Sequence, residues 1–119
     1  MVRAGRDSIF IDEFLSHQMV AVGWSKLGDL SKVHSREQLA QLVEQAWPEN
    51  NKFQNASSVG QLYRFLEEIV PGQAVTTYDS DSRIYHIGTV VGQYEYHAEY
   101  DPELRHSRSV RWGKESFSR

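Results

Sequence analysis

The sequence predicts an α+β domain, a small curved sheet or barrel with helices packed outside it. Three observations lead there. Two capping-box signatures, Ser35 with Gln38 and Ser58 with Gln61, open apolar runs of helical period. Pro48 and Pro71-Gly72 stop those runs. From Ala74 onward the period changes to that of strands. A length of 119 residues suits one domain, and three Trp, six Tyr and five Phe supply enough apolar bulk for a core.

Along the chain, residues 1–5 read as a short strand ended by Gly5. Ser8 is placed to N-cap a short helix carrying Ile9, Phe10, Phe14 and Leu15. Met19 to Trp24 is an apolar run too short for a helix and is assigned to a buried strand. Ser25 to Leu30 follows as a loop with Gly28 at its tip. The first box opens a helix over 35–47, whose Leu39, Leu42, Val43 and Ala46 share a face. Residues 49–57 are polar and receive no element. The second box opens a helix over 58–69 that carries Val59, Leu62, Tyr63, Leu66 and Ile69.

The β-branched segment 74–78 is a strand bounded by the turn cluster Asp79-Ser80-Asp81-Ser82. Residues 84–91 form the strongest strand, expected inside the sheet, with Gly88 and Gly92 as bulge positions. Tyr94, Tyr96, Ala98 and Tyr100 alternate with polar residues until Asp101-Pro102 breaks the pattern. Residues 109–112 are a last short strand, and 113–119 begin a linker. In all, five or six strands with two or three helices are expected from this pattern.

Composition removes several function classes. The chain has no cysteine, which excludes disulfide scaffolds, thiolate metal sites and thiol nucleophiles. No apolar run approaches the ~20 residues of a membrane span, and the first residues lack the apolar stretch of a signal peptide, so a cytoplasmic location without membrane contact is expected. The net charge of −3 is unlike that of a non-specific polyanion binder. It hides an asymmetry, because residues 105–119 carry Arg105, Arg108, Arg111, Lys114 and Arg119 against Glu115 alone. Contact with nucleic acid is therefore expected from a local basic strip beside a specific pocket; a solvated tail is the alternative.

Nothing in the sequence nominates an enzyme. The five histidines (17, 34, 86, 97, 106) never stand at the spacing of a helical zinc pair, and phosphate-cradling glycine loops and nucleophile elbows are missing. Glu67 and Glu68 project about 100° apart on a helix and read as a solvated face. No cofactor or metal is expected. The aromatics say more. Trp24 ends an apolar strand immediately before a glycine loop, and Tyr94, Tyr96 and Tyr100 follow the strongest strand in polar surroundings. Such rings can sandwich a nucleobase, with stacking worth ~1–3 kcal/mol per base. Rim packing is the plainer reading.

An ordered set of short motifs carries a resemblance. Val2-Arg3-Ala4-Gly5, Val20-Ala21-Val22-Gly23-Trp24 and Leu27-Gly28-Asp29-Leu30-Ser31 look like the N-terminal module of Mrr-like and McrB-like modification-dependent restriction proteins. So do Gly60-Gln61-Leu62-Tyr63-Arg64-Phe65, Pro71-Gly72-Gln73-Ala74-Val75 and Tyr85-His86-Ile87-Gly88-Thr89-Val90. These modules belong to the PUA-like superfamily, close to the EVE and YTH domains, and the similarity runs from residue 2 to 112. It implies a curved β-barrel with flanking helices and a pocket for a modified base. Trp24 resembles the cage tryptophan of YTH domains, and Ser25 stands where small polar groups meet the base edge. Val110-Arg111-Trp112 matches the strand after the second cage loop, which makes Tyr96 and Tyr100 the other cage candidates. The chain departs from the pattern by offering tyrosines there, and Gly72-Gln73 replaces the usual Gly-Asp.

The expectation is thus a modified-base-binding domain over 1–112, with 113–119 beginning a linker, non-catalytic by itself, and its effector nuclease or motor expected in a domain beyond residue 119. Methylated DNA is the expected partner, N6-methyladenine the favoured base. The base is flipped into a cage of Trp24, Ser25, Tyr96 and Tyr100, with phosphates held by Arg3, Arg6, Arg105 and Arg108. The alternatives are an RNA-binding module of the same fold and a small hydrolase built on His86 or His97.

Overall fold

The computed structural model describes residues 2–5 and 8–118, the last five of these through their backbone. Four antiparallel strands form one sheet in the order β1-β4-β3-β2: β1 is Met19–Val22, β2 Ala74–Asp79, β3 Ile84–Tyr96 and β4 His106–Ser118. The sheet curls into a half-barrel. β3 and β4 are its long inner pair; β1 and β2 are its edges. Helices α1 (Ile11–Ser16), α2 (Arg36–Ala46) and α3 (Lys52–Tyr63) accompany it, the last running into a π-helical turn, Arg64–Glu68. The fold is α+β, with 84–91 inside the sheet as the sequence predicts.

Several elements differ from the sequence reading. Four strands are present among the described residues, because Tyr94 and Tyr96 extend β3 and the segment 109–112 is the middle of a much longer β4. Residues 113–118, read as the start of a linker, continue β4 and pair with the beginning of β3. Residues 2–5 do not join the ladder. They cross the free edge of β2, where Val2 N–H donates to Thr76 O at 2.9 Å and Thr77 Oγ1 to Val2 O at 2.7 Å. Ser8 caps no helix; it has φ of 59° and α1 begins at Ile11.

The first capping box holds, with Gln38 N donating to Ser35 Oγ at 3.1 Å. The second does not. Asn51 and Gln54 make a reciprocal box at 2.8 and 2.9 Å, so α3 starts seven residues earlier than the Ser58 signature suggested. Asparagine is among the strongest N-caps, and this box satisfies both orphan donors. Ser58 is left inside the helix with its hydroxyl available.

Two apolar clusters result. Phe14, Val20, Phe65, Val90 and Val110 belong to one, inside the half-barrel; Leu30, Leu39, Val43, Val59 and Leu62 form the other, around α2 and α3. They are joined by an unexpected group. Arg108 is 1 % exposed, and among the described residues no carboxylate pairs with it. Its Nε and Nη2 donate to Gly92 O at 3.0 and 2.7 Å, and its Nη1 to Phe65 O at 2.9 Å and Ile69 O at 2.7 Å. The Gly92 carbonyl lies within the register shift between Val90 and Tyr94. A bulge interrupts the ladder, and the other two carbonyls belong to the end of a helix, where main-chain acceptors run out of partners. The glycines placed as bulge markers do sit at shifts, the other falling between His86 and Gly88.

The expected phosphate role of Arg108 is therefore corrected: its guanidinium is consumed by three main-chain acceptors in the interior. Replacing it leaves those acceptors buried and unpaired. Arg108→Met should destabilise the fold by about 3 kcal/mol or more, and Arg108→Lys, which lacks the planar fork, by nearly as much. Arg105→Ala should cost about 1 kcal/mol, for the one bond from its Nε to Tyr100 O. Urea denaturation curves measure all three. An Arg108→Met protein as stable as the wild type would overturn the assignment.

Candidate nucleobase pocket

Between the two sheet edges the half-barrel is open, and a cavity of about 580 Å³ lies there. Its walls come from Ala21 to Trp24 at the end of β1, Gln73 to Thr76 at the start of β2, the residue 2–5 crossover, and the end of α3 with the π-helical turn that follows it. Ligand pockets for small molecules commonly span about 300–1,000 Å³ with apolar walls and a few polar groups. Here Phe10, Phe14, Phe65 and Ile69 make the apolar part. Arg3, Gln61, Arg64, Gln73 and Glu103 are the exposed polar groups.

Trp24 is the most constrained residue of the wall. It has φ of 62° and ψ of 37°, the left-handed region that a bulky side chain enters at a cost of about 1–3 kcal/mol. Both its ends are held. The indole Nε1 donates to Ser58 Oγ on α3 at 3.2 Å, and the carbonyl accepts from Nε2 of the fully buried His106 at 3.0 Å. Because a carbonyl accepts and cannot donate, His106 carries its proton on Nε2. Nδ1 then accepts from the Tyr94 hydroxyl at 2.7 Å, whose oxygen accepts the Leu30 N–H at 3.1 Å. Burial lowers the His106 pKa from its ordinary value and pushes the Tyr94 hydroxyl up to about 12, so both stay in the neutral forms this chain of bonds needs. The ring itself remains half-exposed on the cavity wall while packing against the second apolar cluster.

The other expected cage residues lie elsewhere. Ser25 opens the short 3-10 turn Ser25–Leu27, away from the cavity wall. Tyr96 leans on His106 with centroids 5.3 Å apart, and Tyr100 stacks on His97 at 4.3 Å. Neither shares a wall with Trp24, so the three-aromatic cage is not assembled; Phe10, Phe14 and Phe65 supply the other rings. Among the expected phosphate contacts, Arg3 is exposed on the cavity wall. Arg105 is half-buried, its Nε bonded to Tyr100 O. Arg6 lies outside the described residues. His97, one histidine of the hydrolase alternative, sits between Glu95 and Glu99 with ring nitrogens 3.3 and 3.2 Å from their carboxylates, away from the cavity wall.

Arg64, Gln61, Phe65 and Glu103 were not singled out in the sequence as site residues. Gln61 comes from the last turn of α3, and the π-helical turn, which is invisible in composition, is what brings Arg64 and Phe65 to the cavity. The chain belongs to the family described as a domain of unknown function (DUF8426), whose profile matches residues 2–119. No curated protein and no solved structure matches it significantly.

The His106 relay makes a pH prediction. Its pKa is lowered in the folded protein, so the proton is held more tightly by the unfolded chain. The contribution of the neutral relay is complete above the ordinary value of 6.5 and is lost as pH falls from there through the lower folded value. Wild-type stability should thus decline below pH 6.5 more steeply than that of His106→Gln, which should itself be weaker at neutral pH by about 1–3 kcal/mol. Denaturation series between acid and neutral pH that run parallel for the two proteins would contradict this.

Proposed function

We propose that the domain is a PUA-like module that reads a methylated base in DNA, N6-methyladenine, and lends specificity to a restriction effector. The observation that carries the reading is Trp24, an aromatic face held in a strained backbone conformation from two sides, on the wall of an apolar cavity between the sheet edges. Strain of this kind collects at binding sites, where pre-organisation repays it. The cavity is large enough for one extruded nucleotide. Extrusion costs a few kcal/mol and stacking returns ~1–3 kcal/mol, so the margin comes from contacts to the modification and to phosphates.

Arg3 and Arg64 stand on the same wall as Trp24 and replace the 105–108 strip as the supply of phosphate contacts. Arg64 is 3.9 Å from Glu68, an exposed i,i+4 pair whose hold on the guanidinium is weak. The acidic balance of the chain fits a reader that depends on its pocket more than a general polyanion binder.

The test is binding to duplex and single-stranded DNA and RNA oligonucleotides, with and without N6-methyladenine or 5-methylcytosine. Trp24→Leu, which preserves apolar bulk against the helical cluster, should reduce the preference for the methylated DNA about tenfold and leave the salt dependence unchanged. Arg3→Ala and Arg64→Ala should weaken modified and unmodified duplexes by similar factors, each reducing the slope of log K against log salt by about 0.9. Equal affinity of the wild type for modified and unmodified strands would sink the proposal, and a preference confined to the RNA arm would move it to RNA.

A further inference from the structure

Glu103 is the one carboxylate on the cavity wall among the described residues. The short turn Pro102–Leu104 delivers it: Glu103 N donates to Asp101 Oδ1 at 3.1 Å, and the buried Leu104 anchors the next position. The backbone is thereby fixed while the side chain reaches across to the residue before Trp24. A Cβ on residue 23 would lie 3.0 Å from Glu103 Oε2, so Gly23 is what leaves room for the carboxylate there. Among the described residues no hydrogen bond or ion pair occupies that carboxylate.

An ionised carboxylate accepts hydrogen bonds and cannot donate them. Whatever stacks on Trp24 therefore meets an acceptor that only an N–H or O–H satisfies. Resting on the base-binding reading above, we infer that Glu103 selects bases carrying an exocyclic amino group, over thymine and uracil. Adenine and cytosine offer amino N–H groups, as carboxylates accept from the cytosine amino group in groove readout. Thymine and uracil flank their single ring N–H with two carbonyl oxygens, which turn like charge toward the carboxylate. N6-methyladenine keeps one N–H and qualifies; N6,N6-dimethyladenine has none. Arg3 and Arg64 on the same wall offset the repulsion between Glu103 and phosphates.

The experiment uses a short single-stranded oligothymidine with one central variable base, so that backbone contacts are common to every probe. The bases are N6-methyladenine, N6,N6-dimethyladenine and thymine. Wild type should prefer the first to each of the others by about tenfold, the usual scale for a hydrogen bond to a charged group. Glu103→Gln, whose amide donates as well as accepts, should lose that preference and improve on thymine relative to N6-methyladenine. Glu103 is exposed, and the melting temperature of the variant should match the wild type. If N6,N6-dimethyladenine binds as well as the monomethyl base, or Glu103→Gln keeps the wild-type order, the role of Glu103 is overturned. The base-binding reading then survives if Trp24→Leu still weakens every probe. A wild type that binds the three probes alike and is insensitive to Trp24→Leu overturns both.

Discussion

One guanidinium holds the two halves of this molecule in register. Arg108 projects from β4 between the bulge of β3 and the end of the long helix, and its donors meet a carbonyl from each side. Burying a positive charge without a counter-ion is expensive, and burial does lower its pKa. The arrangement persists because the alternative is three interior carbonyls with no donor. Carbonyl oxygens at a helix end also carry partial negative charge, which suits a cation there. One side of the cavity follows from this clamp: the position of the π-helical turn fixes Phe65 and Ile69, and the bulge sets where β3 leaves β2.

The second constraint is local. Trp24 takes a conformation that its own side chain disfavours, and the relay from Leu30 through Tyr94 and His106 holds the peptide there. None of these groups needs to be charged. The site is thus organised by neutral hydrogen bonds in the interior, while the charges at its mouth, Arg3, Arg64 and Glu103, stay in contact with solvent. That division lets the mouth vary without disturbing the wall.

Much of the fold was legible from local signals. The Ser35 box, the period of Leu39 and Val43, and the β-branched run over 84–91 each point to the element that forms. The Ser58 signature misplaced the start of α3, because Asn51 with Gln54, in a stretch read as polar and without an element, forms the box that satisfies donors on both sides. The site was less legible. Arg105 and Arg108 look alike as charges in a row, yet one is half-buried and one wholly so. A signal was present in the strand period: His106, Arg108 and Val110 alternate with the same parity and are all buried. Read as a strand, that stretch places two titratable residues facing inward, against the habit of assigning arginine to the surface. Trp24 was visible because a strand end and a glycine loop are adjacent in sequence. Its neighbours in space, Gln61, Arg64 and Glu103, are 37 or more residues away and share no pattern with it.

The strand order has a consequence for biosynthesis. β1 has one neighbour in the sheet, and that neighbour is β4, the last strand to be made. The His106 that fixes the Trp24 carbonyl is 82 residues downstream of it. While the polypeptide emerges, α2 and α3 can close on each other by short-range contacts, but the apolar run 19–22 waits almost the whole length of the chain for its partner. Long waits of this kind slow folding and leave a β-prone segment unpaired. The Trp24 wall therefore takes shape only after β4 has been made, and the shortness of β1, four residues, limits how much sticky edge is displayed in the interval.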